Sequence, residues 1–289
     1  MTGLPIDLGL QAPIDAALAR LRESSGEHCL SDHAFSNLYL FRDIHDYRFV
    51  SGDWPCVSGR AYDGTRHLMP LFAPTAAPIS VLRSLLAGHD CLYPVASRHA
   101  AALRPEQFGI SESRDDADYL FAASHFADYP GRRLAKKRSL TRLLLAAHVL
   151  SCEPFSDRLA GSAREVLRGW MVQKGKAEGE ADEAACLEAM ALASRFGLEG
   201  FVHFAEGVPV GFVLAQELQP GVFVMRFAKG LDSHIGIYPY MFQHFCRNFG
   251  RRVAWLNFEQ DMGIVGFRRS KMSYRPAALI SKLRVSLRD

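Results

Sequence analysis

The sequence predicts an α+β protein built from two domains. Its 289 residues, 48% hydrophobic and 22% charged, have an ordinary globular composition, and a chain of this length favours two domains. The second half contains three consecutive strand-like runs separated by turn residues, with segments of helical spacing around them. Because strands follow strands rather than alternating regularly with helices, this order indicates an α+β fold and not a doubly wound sheet.

The first half, residues 1–130, contains both helical and strand patterns. Helical spacing of apolar residues predicts helices at 13–24, 34–43 and 78–88. Short apolar runs bounded by turn residues predict strands at 47–50, 55–59, 66–72, 91–96 and 118–123.

The second half, residues 131–289, has the clearer order. Helices are predicted at 131–147, 156–174, 181–196, 234–248 and 261–271. Strands are predicted at 148–155, 199–207, 208–218, 221–230, 253–259 and 277–287. The turns Glu206-Gly207 and Pro220-Gly221 indicate an antiparallel meander. This order matches the N-acetyltransferase-like (GNAT) fold. Since the first half is compatible with it, we expect two tandem GNAT-like domains, each a mixed, mainly antiparallel sheet flanked by helices.

Several classes of protein are disfavoured by the composition and by missing motifs. The net charge of +3 does not by itself indicate a polyanionic partner, and the six cysteines are isolated, without C-x-x-C spacing. The histidines form no metal-binding pattern, and the sequence has neither a G-x-S-x-G nucleophile motif nor a Walker A loop. No signal peptide or long apolar run is evident, so we expect a soluble, reduced, cytoplasmic protein without an integral membrane segment.

The basic segment, residues 132–142, is the densest cluster of charge. Its six cations, with no acid among them, are Arg132, Arg133, Lys136, Lys137, Arg138 and Arg142. Like charges this close repel one another unless an anion is present, so one interpretation is a phosphate or nucleic-acid site. The alternative is a solvated helix face, which is how most charge runs are used.

A polar cluster follows the predicted strand at 253–259. Alternation places Asn257 and Glu259 on one side of that strand, where they are candidates for lining a site. Asp261 is either part of this site or an N-cap of the next helix. Arg268 and Lys271 are candidates for pairing with these carboxylates or for binding an anion. We expect the basic segment to border the same cavity that Asn257 and Glu259 face.

A third candidate lies at the start of the helix predicted at 234–248. In the GNAT order of elements, segment 229–240 occupies the position of the pyrophosphate-binding loop. The helix that follows such a loop has free backbone N–H groups at its N-terminus, and these can bind an anion. The usual loop is richer in glycine and basic residues, and here Gly236 is the one glycine left in a comparable place.

These segments resemble the family of the C-terminal domain of phosphatidylglycerol lysyltransferase and its soluble bacterial relatives. The stretch from Phe35 to Arg42 is similar to F-x-N-L-x-x-W-R, with Phe41 in place of Trp. The run from Gly131 is similar to G-K-K-x-x-K-K-R-N, with Ser139 in place of Asn. The stretch from Asn257 to Pro276 resembles N-x-E-x-D-x-G-x-x-G-x-R-x-x-K-x-x-Y-x-P.

The resemblance implies two tandem GNAT-like domains and a group-transfer reaction. We expect an acyl- or aminoacyltransferase that uses aminoacyl-tRNA or acyl-CoA as co-substrate, a small amine or hydroxyl as acceptor, and no metal. Glu259 would deprotonate or orient the acceptor, and Asn257 would donate a hydrogen bond. The donor phosphates would be held by Lys136, Lys137 and Arg138. The alternative is a non-catalytic GNAT-like module that binds a ligand or nucleic acid. The oligomeric state is left open.

Overall fold

The computed structural model describes residues 3–26 and 28–288. The chain forms two compact units. Unit 1 comprises residues 1–119, 260–271 and 278–289, and unit 2 comprises residues 120–259 and 272–277. Two C-terminal segments therefore belong to unit 1, a division that differs from the continuous halves 1–130 and 131–289.

Most of the helices and strands predicted from the sequence are present in the structure. The α-helices are α1 (Gln11–Ser25), α2 (Phe35–Leu40), α3 (Ile79–Leu86), α4 (Ser97–Ala100), α5 (Ala123–Asp128), α6 (Ala135–Ala147), α7 (Ala160–Gln173), α8 (Glu183–Ala191), α9 (Ala193–Phe196), α10 (Ile237–Phe249) and α11 (Val265–Met272). The strands are β1 (Leu4–Pro5), β2 (Arg48–Val50), β3 (Cys56–Arg60), β4 (Arg66–Pro70), β5 (Cys91–Ala96), β6 (Phe108–Glu112), β7 (Asp118–Ala122), β8 (Leu150–Pro154), β9 (Leu198–Ala205), β10 (Val208–Gln219), β11 (Val222–Gly230), β12 (Trp255–Asn257), β13 (Ala278–Ile280) and β14 (Lys282–Leu287).

The sheet of unit 1 has the order β1-β2-β3-β4-β5-β14-β6. Its pairs are antiparallel except for β4 and β5, which are parallel. Helix α3 contributes Leu82, Leu85 and Leu86 to a core that also contains Leu68 of β4 and Leu92 of β5. The spacing of these leucines places them on one face of the helix, so α3 is held by burial of that face.

The sheet of unit 2 contains the predicted meander. Strands β9, β10 and β11 are antiparallel neighbours, β11 pairs with β12 in parallel, and β12 pairs with β7. Strand β8 pairs with β9 at the outer end of the order β7-β12-β11-β10-β9-β8. The meander and the α+β class are thus confirmed.

Helices cover both faces of this sheet. On one face, α10 packs so closely that a methyl group added at Gly230 would lie 2.8 Å from Ile237, and one added at Gly211 would lie 2.5 Å from Met241. Side chains alternate along a strand, so Lys229 points to the opposite face. There its ammonium lies 3.9 Å from the ring centre of Trp170 on α7.

The C-terminal region differs from its predicted elements. The strand predicted at 253–259 is confined to Trp255–Asn257, and the helix predicted at 261–271 begins only at Val265. Met262 and Gly263 have φ of 53° and 74°, a conformation that a right-handed helix excludes. The last predicted strand, 277–287, is divided into β13 and β14. Within residues 3–26 and 28–288, no helix combines the length and the apolar character needed to span a bilayer.

Candidate functional site

In unit 2, β11 and β12 separate after a short parallel contact. Their register runs from Val222 opposite Trp255 to Val224 opposite Asn257, where β12 ends, while β11 continues to Gly230. The register between β10 and β11 shifts at the same level, and the shift leaves Arg226 as the extra residue of a bulge. The bulge turns the Arg226 side chain toward the chain segment that follows β12.

Arg226 and Glu259 form an ion pair at this point. The guanidinium Nη1 lies 2.6 Å from Oε1 of Glu259. The Arg226 side chain is 1% exposed and that of Glu259 is 25% exposed, so the buried cation holds a carboxylate that solvent still reaches. Glu259 has φ of 56°, an uncommon conformation for a residue other than glycine.

Asn257 fixes this conformation. Its side chain is fully buried, and its Oδ1 accepts a hydrogen bond of 2.7 Å from the backbone N–H of Glu259. Because β12 ends at Asn257, the strand alternation expected for Asn257 and Glu259 does not extend to Glu259. The Asn257 side-chain amide therefore positions the Glu259 carboxylate by fixing the Glu259 backbone.

Asp261 lies in unit 1 and is surrounded by donors. Its fully buried carboxylate accepts hydrogen bonds of 2.9 and 2.8 Å from Arg268, one of 2.9 Å from the Gly263 N–H, and one from the Tyr119 hydroxyl. Burial favours the neutral acid, but these donors outweigh it and lower the pKa of Asp261. Asp261 is therefore an ionised structural anchor for the turn before α11.

Arg268 and Lys271, which belong to the same unit, have internal partners. Arg268 also contacts Asp115, and its two carboxylate partners raise the pKa of the guanidinium. Lys271 Nζ donates to the backbone carbonyl of Gln260 at 2.5 Å and lies 5.5 Å from the ring centre of Tyr119. Both cations thus hold the segment that follows Glu259.

The basic segment in unit 2 is divided between internal and exposed cations. Arg138 donates to the backbone carbonyls of Tyr129 and Gly131, just after α5. Lys137 Nζ lies 2.8 Å from Ser273 Oγ and 3.5 Å from the ring centre of Tyr274. Burial, with a smaller effect of the neighbouring Lys136 charge, lowers the pKa of Lys137 to about 8. The cations exposed to solvent are Arg132, Arg133, Lys136 and Arg142.

Gly236, at the N-cap of α10, has a packing role. It has φ of 102°, and a methyl group there would lie 2.2 Å from the backbone carbonyl oxygen of Leu140 in α6. The glycine therefore permits close contact between α6 and the start of α10. The carbonyl oxygen places partial negative charge where a pyrophosphate would need donors.

An aromatic layer connects the basic segment with the end of β12. Tyr274, beneath Lys137, has its ring centre 5.6 Å from that of Phe242 and 5.3 Å from that of Phe126. Both phenylalanines also pack on Phe258, at 4.9 and 5.2 Å. Phe258 lies between Asn257 and Glu259 in the chain. That the basic segment and these two residues border one cavity stays a prediction.

In unit 1, the parallel strands β4 and β5 correspond to β11 and β12 of unit 2, but the space between them is filled by side chains. The parallel contact joins His67 to Cys91 and Leu68 to Leu92. Beyond it, the space is lined by Leu21, His33, Pro70, Phe72, Pro74, Pro94, Val95, Ala96 and His99. Both strands have a proline at this point, which removes backbone N–H donors. These features favour unit 2 as the location of the candidate site.

The comparisons with known proteins decide the family. A family model described as "Phosphatidylglycerol lysyltransferase, C-terminal" matches residues 25–285. The chain belongs to this family. The match spans the three segments on which the sequence resemblance rests, and it confirms that resemblance. A comparison with curated protein sequences gave no significant match.

Solved structures show that this lysyltransferase-family chain has a tandem GNAT-like fold. A conserved protein of unknown function from Bacteroides thetaiotaomicron has 24% identity and a TM-score of 0.83, with both chains fully covered. L-PGS from Bacillus licheniformis has 16% identity and a TM-score of 0.64, covering 99% of this chain and 93% of that one. A tandem GNAT protein from the clavulanic acid biosynthesis pathway has 10% identity and a TM-score of 0.52, with 99% and 98% covered.

Sequence analysis of this lysyltransferase-family chain missed the buried cations. Arg226 is the partner of Glu259, and Lys229 of the same strand lies 2.6 Å from Asp182. A charged residue inside the apolar run GVFVMRFAKG was an available signal, because an ion in a buried strand requires a partner. Among residues 3–26 and 28–288, no three His, Cys, Asp or Glu side chains are grouped to hold a metal ion.

Proposed function

We propose that this protein is an aminoacyl- or acyltransferase whose acceptor amine or hydroxyl is oriented by Glu259. The observation that carries the proposal is the Arg226–Glu259 pair, which lies where β11 and β12 separate. A partly exposed carboxylate held by a buried guanidinium is suited to accept a hydrogen bond from an incoming nucleophile in a defined direction.

The reaction proposed is substitution at an activated carbonyl. The acceptor nitrogen or oxygen attacks the carbonyl carbon of an ester or thioester, and the bond to the leaving oxygen or sulfur breaks. The proton lost by the acceptor is transferred to the leaving group. The Arg226 guanidinium binds Oε1 of Glu259 and fixes the direction of the carboxylate, so the main contribution of Glu259 is orientation of the acceptor. Asn257 is a positioning residue that fixes Glu259 through its backbone N–H.

For the donor, we favour aminoacyl-tRNA over acyl-CoA. The exposed cations of the basic segment offer several phosphate contacts on one short stretch. The start of α10, in contrast, has the Leu140 carbonyl oxygen packed against Gly236, which disfavours a pyrophosphate there. In this proposal Lys136 contacts phosphate directly, while Lys137 and Arg138 hold α6 in place. Arg268 and Lys271 hold the segment after Glu259.

Binding of bulk tRNA tests the donor. We expect a gel-shift at low salt that weakens at higher salt, because phosphate contacts release counterions. The variant R133E/K136E should weaken binding and make the salt dependence shallower. The matched control is R164E/R168E, which makes the same change in charge at two exposed arginines of α7. No binding at low salt, or equal losses in both variants, would contradict a tRNA donor, and thermal shifts with acyl-CoAs would then identify the alternative.

Transfer itself is tested with a small surrogate acceptor. The protein is incubated with a mixture of charged tRNAs and hydroxylamine, and amino acid hydroxamates are measured above the uncatalysed rate. We expect E259Q to lower this rate by about 10²-fold, the scale of a misoriented reactant. E153Q is the control, because the Glu153 side chain is 45% exposed and forms a surface ion pair with Arg158. Unchanged transfer by E259Q removes the proposed role, and tRNA binding without any transfer indicates a binding module.

A further inference from the structure

Cys152 differs from the other cysteines of the chain. It lies on β8, the outer strand of the unit 2 sheet, and is half-buried. The remaining five, Cys29, Cys56, Cys91, Cys186 and Cys246, are buried. Reagents in solution therefore reach Cys152 more readily than any of the others.

A histidine from α10 lies directly beside this thiol. Cys152 Sγ is 2.6 Å from Nε2 of His244. A nucleophilic side chain within hydrogen-bond reach of an imidazole is the arrangement in which the imidazole can take the proton of the nucleophile. The contact joins β8 to α10, so it is made only in the folded protein.

The surroundings of the pair are weakly polar. His203 of β9 lies opposite Cys152 in the strand register, and its ring centre is 5.1 Å from that of His244. Tyr240, one turn before His244, is 6.1 Å from it, and Phe201 is 4.6 Å from it. Among the described residues, both ring nitrogens of the fully buried His203 and Nδ1 of His244 have no hydrogen-bond partner.

Burial makes the resting pair neutral. It raises the pKa of the Cys152 thiol and lowers that of His244. The titratable groups facing the pair are His203 from β9 and Tyr240 from α10. Burial lowers the pKa of His203 to about 3 and raises that of Tyr240, so both are neutral near pH 7. The thiol therefore donates to a neutral imidazole that is free of a proton at Nε2.

We propose that Cys152 and His244 form a covalent modification site at which the Cys152 sulfur reacts with small electrophiles while His244 accepts its proton. With iodoacetamide, the S–C bond forms, the C–I bond breaks, iodide leaves and the proton moves to Nε2. With a peroxide, the S–O bond forms as the O–O bond breaks. Sulfur is then oxidised to a sulfenic acid, and the leaving hydroxide takes the proton from His244 to become water. The site is independent of the transferase proposal.

The pH dependence of alkylation separates this mechanism from that of an ordinary thiol. A free thiol reacts as its thiolate, so its rate rises about tenfold per pH unit below its pKa of ~8.5. A thiol deprotonated by a neutral imidazole reacts at a rate that is constant once the imidazole has lost its proton. We therefore expect a nearly flat rate for Cys152 between pH 7 and about 8.5.

The experiment uses the full chain, iodoacetamide and peptide mass mapping under native conditions. Cys152 should be alkylated before the five buried cysteines. H244Q should lower its rate at pH 7 by about tenfold and restore the steep pH dependence, whereas H234Q, on the loop before α10, should change neither. Hydrogen peroxide with a sulfenic acid probe should label the same residue. A steep profile in the unmodified protein overturns the proposal without any variant, as does alkylation of Cys152 no faster than that of the buried cysteines.

Discussion

Replacement of Lys282 by methionine should destabilise unit 1 strongly. Lys282 is fully buried on β14, with Nζ 2.6 Å from Asp32 and 2.8 Å from Asp118. It also lies 3.0 Å from Ser31 Oγ and donates to the Gln260 side chain. Its two carboxylate partners outweigh burial and raise the pKa of the ammonium, so it is charged at neutral pH. K282M has similar volume but removes the cation that pairs with the fully buried Asp118 carboxylate and the largely buried Asp32 carboxylate.

The size of the effect follows from that unpaired charge. Removing one partner of a buried ion pair costs about 3–5 kcal/mol, because the remaining charge stays desolvated. With an m value of about 2–3 kcal/mol per molar urea, the midpoint for unit 1 should fall by about 1–2.5 M. Urea unfolding monitored by circular dichroism measures this shift.

K174M is the matched control. Lys174 pairs with Asp232 in unit 2, but the two side chains are 37% and 52% exposed. A surface pair of this kind contributes about 0–1 kcal/mol. The triple variant K282M/D32N/D118N should recover part of the loss by removing the carboxylate charges. A K282M protein as stable as K174M would refute the view that Lys282 neutralises a buried acidic pair.

Three further predictions concern the candidate site and its supports. The pKa of Asp261 is lower in the folded state than its ordinary value of 3.8, so its stabilising effect is present above pH 4 and is lost as the pH falls further. The stability difference between the unmodified protein and D261N should thus shrink from pH 7 to pH 3, and a constant difference in urea unfolding would contradict it. G236A should lower the midpoint of thermal unfolding much more than G197A does. Both glycines have positive φ, but of the two only Gly236 lies against the backbone of α6. Equal midpoints in the two variants would exclude this contact with α6. After reductive methylation with ¹³C-formaldehyde, the NMR signal of Lys137 should titrate near pH 8, whereas titration only above pH 9.5 would show that it is solvated.

Local sequence patterns were sufficient for the fold. The run CLYPVA forms β5 over the predicted residues 91–96, because an apolar run bounded by turn residues has few alternatives in an α+β sheet. The meander was predicted correctly because Glu206-Gly207 and Pro220-Gly221 mark its reversals, and Gly207 and Gly221 both have φ of 80°. Element order then identified the GNAT-like fold without long-range information.

The ion pairs within each unit were not accessible to local patterns. Lys282 meets Asp32 across 250 residues of chain, and no spacing rule connects positions so far apart. Arg226 was visible as a cation in an apolar strand, but its partner depended on a bulge that the sequence does not mark. The strand expected to continue to Glu259 ends two residues earlier, because Asn257 binds the Glu259 N–H and Glu259 turns to positive φ.

The carboxylates of Glu259 and Asp261 differ in their exposure to solvent and in their hydrogen-bond partners. Asp261 is fully buried and accepts hydrogen bonds from a guanidinium, a hydroxyl and a backbone N–H, so its carboxylate is engaged in holding the turn before α11. Glu259 is paired on one side by buried Arg226 and remains a quarter exposed on the other. A carboxylate that must meet an acceptor needs both a fixed direction and access to solvent. The Arg226 pair and the 25% exposure of the Glu259 side chain supply these, which supports the proposal that the acceptor contacts Glu259 rather than Asp261.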